Sequence, residues 1–107
     1  LIFGPEATCH YWLDNPKEAL QTFKKVKVKK NYLFYIALTH KKSGNNDQAS
    51  DNLREAHALT GMDNDSFIGT QPFMDQDILS TLKNELSETK KYLEEILTKF
   101  KDVYKEN

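Results

Sequence analysis

Apolar residues recur every three or four positions along most of the chain, which is the spacing of amphipathic α-helices. In residues 1–60 this spacing occurs in four short stretches, and turn residues divide them into two pairs. The first pair is divided by Asp14-Asn15-Pro16 and the second by Ser43-Gly44-Asn45-Asn46. Asn caps helices well, Pro fits the first turn of a helix, and Gly adopts the left-handed conformation that ends one. The pattern predicts an all-α fold that starts with two helical hairpins.

The two predicted hairpins align with each other at a single offset of 30 residues. The matched pairs are Ala7 with Ala37, His10 with His40, Asn15 with Asn45, Ala19 with Ala49, Phe23 with Leu53, and Val26 with Ala56. Small residues where helices cross let the backbones approach, and large apolar residues fill the groove between them. The offset therefore indicates an internal repeat of one packing unit.

This repeat resembles the tetratricopeptide repeat, in which helical hairpins stack side by side. The family's small residues, turn glycine and large apolar residue correspond to Ala37, Gly44, Ala49, Leu53 and Ala56 in Lys30–Met62, and to Ala7, Ala19, Phe23 and Val26 in a first, partial copy. The copies differ from the family in their spacing of 30 residues, in His10 and His40 where it has an aromatic residue, and in Asp14 at the turn glycine. The resemblance implies a protein-binding scaffold.

The resemblance also implies a partner-binding groove, lined by the first helix of each hairpin. By position its residues are Thr8, Tyr11, Trp12, Asn31, Phe34, Leu38, Lys41 and Lys42. Such a surface is aromatic with a basic edge, and Trp and Tyr often anchor protein interfaces. A protein or peptide partner with acidic groups is the expected ligand. The alternative is that Trp12 and Phe34 belong to the core, beneath the C-terminal helix.

The rest of the chain is predicted to form a connection over residues 61–74 and a long helix over residues 75–107. In the connection, Phe67, Ile68 and Phe73 are expected to pack on the repeats beside one short helical turn. The helix, capped by Asp75 or Asp77, carries a stripe at alternating spacings of three and four residues. The stripe consists of Leu79, Leu82, Leu86, Thr89, Leu93, Ile96, Phe100 and Val103.

Two roles for this long helix are compatible with its stripe. Its first half is expected to cover the end of the repeats, because terminal repeats need capping. Its second half is expected to pair with another copy of the chain in a coiled-coil homodimer. The residues assigned to that self-association are Leu93, Ile96, Phe100 and Val103. A self-associating structural module is therefore the first alternative to a partner-binding module.

A second resemblance concerns Gln71-Pro72-Phe73-Met74-Asp75 and the leucines that follow it. The segment is similar to the end of the repeat-bearing tail of some bacterial adenylate and guanylate cyclases. That tail usually stops soon afterwards, whereas this chain continues as a charged helix. The second alternative is thus a regulatory C-terminal tail of a nucleotide cyclase-like signalling protein.

Composition narrows the class of protein and of partner. With 107 residues, of which 38% are hydrophobic and 29% charged, the chain suits one globular domain. Its net charge of −1 does not favour nucleic acid or a membrane surface, and no apolar run approaches the ~20 residues of a membrane span. Cys9 is the only cysteine, which excludes an intramolecular disulfide and favours a cytoplasmic location.

The segment Lys24–Lys30, KKVKVKK, is the most basic part of the chain. We expect it to begin on the last turn of the second helix, with Val26 facing inward and Val28 tucked under the following turn. Lysines suit the negative end of a helix dipole. Their charge is expected to steer an acidic partner or the acidic C-terminal half, and a dedicated nucleic-acid site is the minor interpretation.

No arrangement of residues predicts chemistry. The chain lacks a Gly-rich phosphate loop, a G-x-S-x-G elbow and an H-E-x-x-H motif. Cys9 and His10 are neighbours and point about 100° apart on a helix, so they do not converge on one ligand. His10 and His40 are expected to stack near each other at helix interfaces. We predict a non-enzymatic protein with no cofactor and no metal.

Overall fold

The computed structural model describes residues 3–71 and 76–105, with side chains over residues 3–71 and 77–99. These residues form α1 (Phe3–Trp12), α2 (Pro16–Phe23), a 3₁₀ helix (Lys30–Tyr32), α3 (Leu33–Lys42), α4 (Asn46–Thr60), α5 (Asn64–Gly69) and α6 (Gln76–Lys105). No strand occurs within them. The prediction of an all-α fold with two helical hairpins and a long C-terminal helix is confirmed.

The turns of the two hairpins are the same structure 30 residues apart. The backbone N–H of Asn15 donates to the carbonyl of His10, and that of Asn45 donates to the carbonyl of His40, both at 2.9 Å. Asp14 has a φ of 62° and Gly44 has a φ of 81°. Asp14 thus adopts the left-handed conformation that a glycine adopts in the second turn. Asn15 precedes the helix as predicted, but its side chain caps no N–H.

α3 lies at the centre of the molecule. Each residue from Leu33 to Thr39 is buried, because α1, α2, α4 and α6 all pack against this helix. Ala7 and Ala37, which are matched in the repeat, are 0% and 1% exposed. Small side chains at these crossings allow the close packing that the repeat pattern predicted.

The basic segment differs from its prediction. α2 ends at Phe23, and Lys24–Val26 continue as a turn in which the Val26 N–H bonds the Phe23 carbonyl at 3.1 Å. Val26 packs against the core as expected. The prediction for Val28 was wrong, since this side chain is 66% exposed. The next helical turn begins only at Lys30, so no turn covers Val28.

α5 supplies the short helical turn predicted for the connection. Its cap is Asp63, whose carboxylate accepts the Ser66 N–H at 2.8 Å, and its Phe67 is buried as predicted. Residues 72–75 lie outside the described residues. Three predictions concern them: the packing of Phe73, the cap at Asp75 and the cyclase-like Pro-Phe-x-Asp segment.

α6 packs across the second hairpin. It has 30 residues, hence a length of about 45 Å, and contacts α3, α4 and α5. Leu82 and Leu86 are fully buried and Thr89 is 3% exposed. The middle of the predicted stripe therefore lies against the chain's own hairpins.

Candidate functional site

The eight residues of the predicted groove fall into three classes of exposure. Tyr11, Phe34 and Leu38 are buried, and Asn31 is exposed. The half-buried members are Thr8, Trp12, Lys41 and Lys42. The buried residues are closed to a partner in this conformation. α6 packs on the second hairpin, Phe67 of α5 stacks on Phe34, and Tyr11 bonds to Glu85 of α6.

Tyr11 connects the first hairpin to α6. Its hydroxyl donates to Glu85 Oε2 at 2.8 Å, and its ring is 0% exposed. Burial, followed by the hydrogen bond to Glu85, raises the pKa of Tyr11 well above its usual value. The raised pKa agrees with the role of the phenol as the donor to this carboxylate.

An aromatic cluster surrounds Tyr11. The Trp12 ring lies 4.9 Å from that of Tyr11 and 6.1 Å from that of Tyr35, both edge to face. The Tyr35 hydroxyl donates to Gln71 Oε1 at 2.5 Å. Burial raises the pKa of Tyr35 to about 12, although a hydrogen bond with Trp12 opposes the rise. Trp12 is thus a partly exposed ring on a rigid aromatic base.

The basic edge of the groove is already neutralised. Lys41 Nζ lies 3.4 Å from Glu88 Oε2 on α6. Lys42 Nζ lies 3.7 Å from Asp14 Oδ1 and 4.3 Å from the centre of the Tyr11 ring, a cation–π contact. Both lysines meet carboxylates that belong to the same chain.

Phe34 belongs to the core under α5. Its ring stacks on that of Phe67 at 4.3 Å and lies 5.6 Å from that of His57. Leu38 is also fully buried. Phe34 is therefore a core residue, which was the alternative to its assignment to the groove.

Thr8 and Asn31, the other two members of the predicted groove, make different contacts. The Thr8 hydroxyl donates to the Gly4 carbonyl of its own helix at 2.9 Å. Asn31 lines a separate cleft with Phe3, Val28 and Tyr32. The structure brings together Tyr11, Trp12, Lys41 and Lys42, which we call the aromatic-basic surface.

Glu85 and Glu88 complete this surface, and the sequence interpretation did not include them. Both flank the buried positions Leu82, Leu86 and Thr89 on α6. Their spacing of three residues places them on neighbouring parts of one helix face. The sequence does show that these two acidic residues border the apolar stripe of α6. It does not show which residues they contact, because that depends on the angle at which α6 crosses the hairpins.

The residues assigned to self-association occupy the end of α6. Leu93 and Ile96 are half-buried and form a cleft with Asp47 and Ser50 of α4. The Ser50 Oγ is buried and has no hydrogen-bond partner among the described residues. The side chains of Phe100 and Val103 lie outside the described residues.

His10 and His40 have different neighbours. His10 Nε2 lies 3.8 Å from Glu6 Oε1, and His40 lines a polar cleft with Asp47 and Tyr92. Burial, then the charge of Lys24, lowers the pKa of His40. The described residues contain no group of three or more His, Cys, Asp or Glu side chains able to hold a metal ion.

No family model matches the chain, and no curated protein or solved structure is significantly similar to it. Over residues 3–71 and 76–105, no helix has the length and apolar character needed to cross a bilayer. The function must therefore be argued from the chain's own surfaces.

Proposed function

We propose that the chain is a non-catalytic protein-interaction module of tetratricopeptide type, whose hairpins bind an acidic amphipathic helix. One observation carries the proposal, namely the way in which α6 occupies the second hairpin. Its apolar positions Leu82 and Leu86 are fully buried. Beside them, Glu85 meets Tyr11 and Glu88 meets Lys41.

This arrangement has the features of helix-in-groove recognition. An amphipathic helix binds a groove through apolar anchors three or four residues apart, and Leu82, Leu86 and Thr89 have that spacing. The two glutamates add a complementary pair of contacts with the aromatic-basic surface. A partner helix with the same pattern of leucines and acids would compete with α6 for these contacts.

The chain's own helix is a strong competitor for the surface. A tethered segment has an effective concentration on the order of millimolar. A free helix must therefore displace α6, and wild-type protein is expected to bind it weakly. Weakening the contacts of α6 should raise the affinity for an added helix.

The test uses a labelled peptide with the sequence of residues 77–99, titrated into full-length protein by fluorescence anisotropy. In Leu86→Ala the tethered helix loses a buried anchor, and we expect peptide binding about tenfold tighter than in wild type. Glu88→Lys, which breaks the pair with Lys41 at the surface, should tighten binding by a smaller factor. Leu59→Ala is the matched control, because Leu59 is 51% exposed on α4.

A second test changes the two glutamates of the peptide. Replacing its residues by Glu85→Gln and Glu88→Gln should weaken its binding to the Leu86→Ala protein severalfold. Circular dichroism establishes that each variant remains helical. If folded Leu86→Ala and Glu88→Lys proteins bind the peptide no better than wild type, the hairpins are not a receptor for such a helix.

A second candidate function is self-association through the end of α6. Leu97 is 43% exposed, beside the half-buried Leu93 and Ile96. The apolar period continues along the sequence to Phe100 and Val103. Size-exclusion chromatography with light scattering should detect a dimer that Leu93→Lys with Leu97→Lys dissociates. A strict monomer at high protein concentration would contradict this candidate.

A further inference from the structure

A cleft of about 590 Å³ lies at the N-terminal end of the molecule. Its apolar walls are formed by Phe3, Val26, Val28 and Tyr32, and Lys25 and Lys27 also line it. We call it the N-terminal cleft. It is formed by α1, the basic segment and the 3₁₀ helix, and none of the α6 residues whose side chains are described lines it.

A close contact holds one wall of this cleft in place. The Tyr32 ring packs directly on Gly4, where an added Cβ would lie 2.2 Å from Tyr32 Cζ. The same ring lies 6.1 Å from that of Phe23, a core residue. Tyr32 is therefore fixed between α1 and the core, and the cleft exists before any ligand binds.

No described carboxylate forms an ion pair with the lysines at the cleft. All five lysines of the basic segment are exposed: Lys24, Lys25, Lys27, Lys29 and Lys30. Within the described residues none of them forms an ion pair, and Lys25 lies 5.5 Å from the centre of the Phe3 ring. Lys41 and Lys42, in contrast, each meet a carboxylate. The cleft thus presents positive charge that an external partner would balance.

The apolar walls and the concave shape of the cleft favour a protein segment over nucleic acid or an anionic membrane as the negatively charged partner. Val28 is 66% exposed next to the cleft's lysines, and an inserted apolar side chain would cover it. Single-stranded nucleic acid stacks its bases on open aromatic faces, whereas the Tyr32 ring is packed on Gly4. A membrane presents a broad surface, whereas this site is concave.

We propose that the N-terminal cleft docks an acidic peptide segment of a protein partner. An aliphatic or aromatic side chain of that segment inserts between Val28 and Tyr32, while its carboxylates face Lys25 and Lys27. The apolar anchor gives the site its selectivity, and the lysines accelerate association. This surface is separate from the aromatic-basic surface and does not depend on the displacement of α6.

The test is fluorescence anisotropy with a labelled peptide in which aspartates and glutamates flank a central Leu-Phe pair. Lys25→Glu with Lys27→Glu should weaken binding by about tenfold or more. The matched control is Lys83→Glu with Lys99→Glu, which makes the same change of charge at two exposed positions on α6. It should leave binding within about twofold of wild type.

The apolar contribution is tested separately. Val28→Ser removes an exposed apolar wall, and a peptide with Ala-Ala in place of Leu-Phe removes the anchor. Each should weaken binding by about fivefold or more. Circular dichroism serves as the folding control, and all substituted side chains are exposed.

Several outcomes would overturn the proposal. Equal binding of the Leu-Phe and Ala-Ala peptides would leave only unspecific charge attraction. Tighter binding of labelled oligothymidine, or of vesicles rich in phosphatidylserine, would assign the lysines to nucleic acid or to lipid. Failure to bind any acidic peptide would also reject it. None of these results bears on the aromatic-basic surface, which the variants of α6 test.

Discussion

The two hairpins share one turn but differ in how much of their first helix is buried. Both turns make the same backbone hydrogen bonds 30 residues apart. Yet α3 is buried at each position from Leu33 to Thr39, whereas α1 buries Gly4, Ala7 and Tyr11. The turn is thus encoded by local residues, and burial is set by the neighbours that each helix acquires.

The matched positions show how the sequence is adapted to this difference. Ala7 and Ala37 are both buried, because both lie where two helices cross. One residue earlier, Glu6 is exposed whereas Ile36 is buried. α3 is covered by α1 on one side and by α6 on another, and it is apolar where α1 is polar. The two copies therefore share the small residues where helices cross, and they differ at the positions that only one of the two helices buries.

The largest expected effect contrasts two matched positions, Leu38 and Thr8. Leu38 is 0% exposed, so Leu38→Ala should lower the free energy of unfolding by about 3 kcal/mol. Thr8 is half-buried and bonds only its own helix, so Thr8→Ala should cost less than about 1 kcal/mol. Urea unfolding followed by circular dichroism measures both. Similar losses at the two positions would show that the hairpins are equally covered.

A second contrast concerns two glycines in helices. Gly4→Ala places a Cβ where the Tyr32 ring lies, so the ring must move. We expect a loss of about 1.5 kcal/mol, although alanine is the better helix former by about 1 kcal/mol. Gly69→Ala meets nothing within 4 Å in α5 and should be neutral or stabilising. A stabilising Gly4→Ala would mean that Tyr32 does not need this contact.

Much of the fold could be predicted from local sequence. The matched residues at one offset identified both hairpins, and Gly44 has the left-handed conformation expected of a turn glycine. Asp14, which the sequence analysis gave as a departure from the family at this position, adopts the same conformation. The end of α4 is also local in origin, since Gly61, the first residue of the predicted connection, terminates it with a φ of 70°. Such features depend on a few neighbouring residues, and periodicity and turn chemistry are sufficient to find them.

The surface contacts could not be predicted in the same way. Periodicity identified the stripe on α6, but not that Glu85 would reach Tyr11 or that Val28 would remain exposed. Tyr11 and Glu85 are 74 positions apart in the sequence. The exposure of Val28 depends on where the next helical turn begins after α2, which is at Lys30. Such contacts arise from the angle at which helices pack, which side-chain spacing alone does not fix.

A third contrast concerns the left-handed residue of each turn, Asp14 in the first and Gly44 in the second. Gly44→Ala puts a β-carbon at a φ of 81°, which should cost about 1 kcal/mol. Asp14→Gly removes strain at a φ of 62° but also the ion pair with Lys42, so it should change stability by less than about 0.5 kcal/mol. Thermal unfolding measures both. Equal destabilisation by the two changes would imply that Asp14 contributes more than its backbone conformation.

The smallest expected effect is the acid sensitivity of the second hairpin through His40. Burial, then the charge of Lys24, lowers the pKa of this imidazole below its usual 6.5. In the unfolded chain it takes up a proton near that value, whereas in the folded protein it does so only at lower pH. The contribution of His40 to stability is therefore complete above about pH 6.5 and is lost as the pH falls through the folded pKa. Urea midpoints measured from neutral pH downwards should fall less steeply in His40→Gln than in wild type, and parallel curves would show that the imidazole titrates alike in both states.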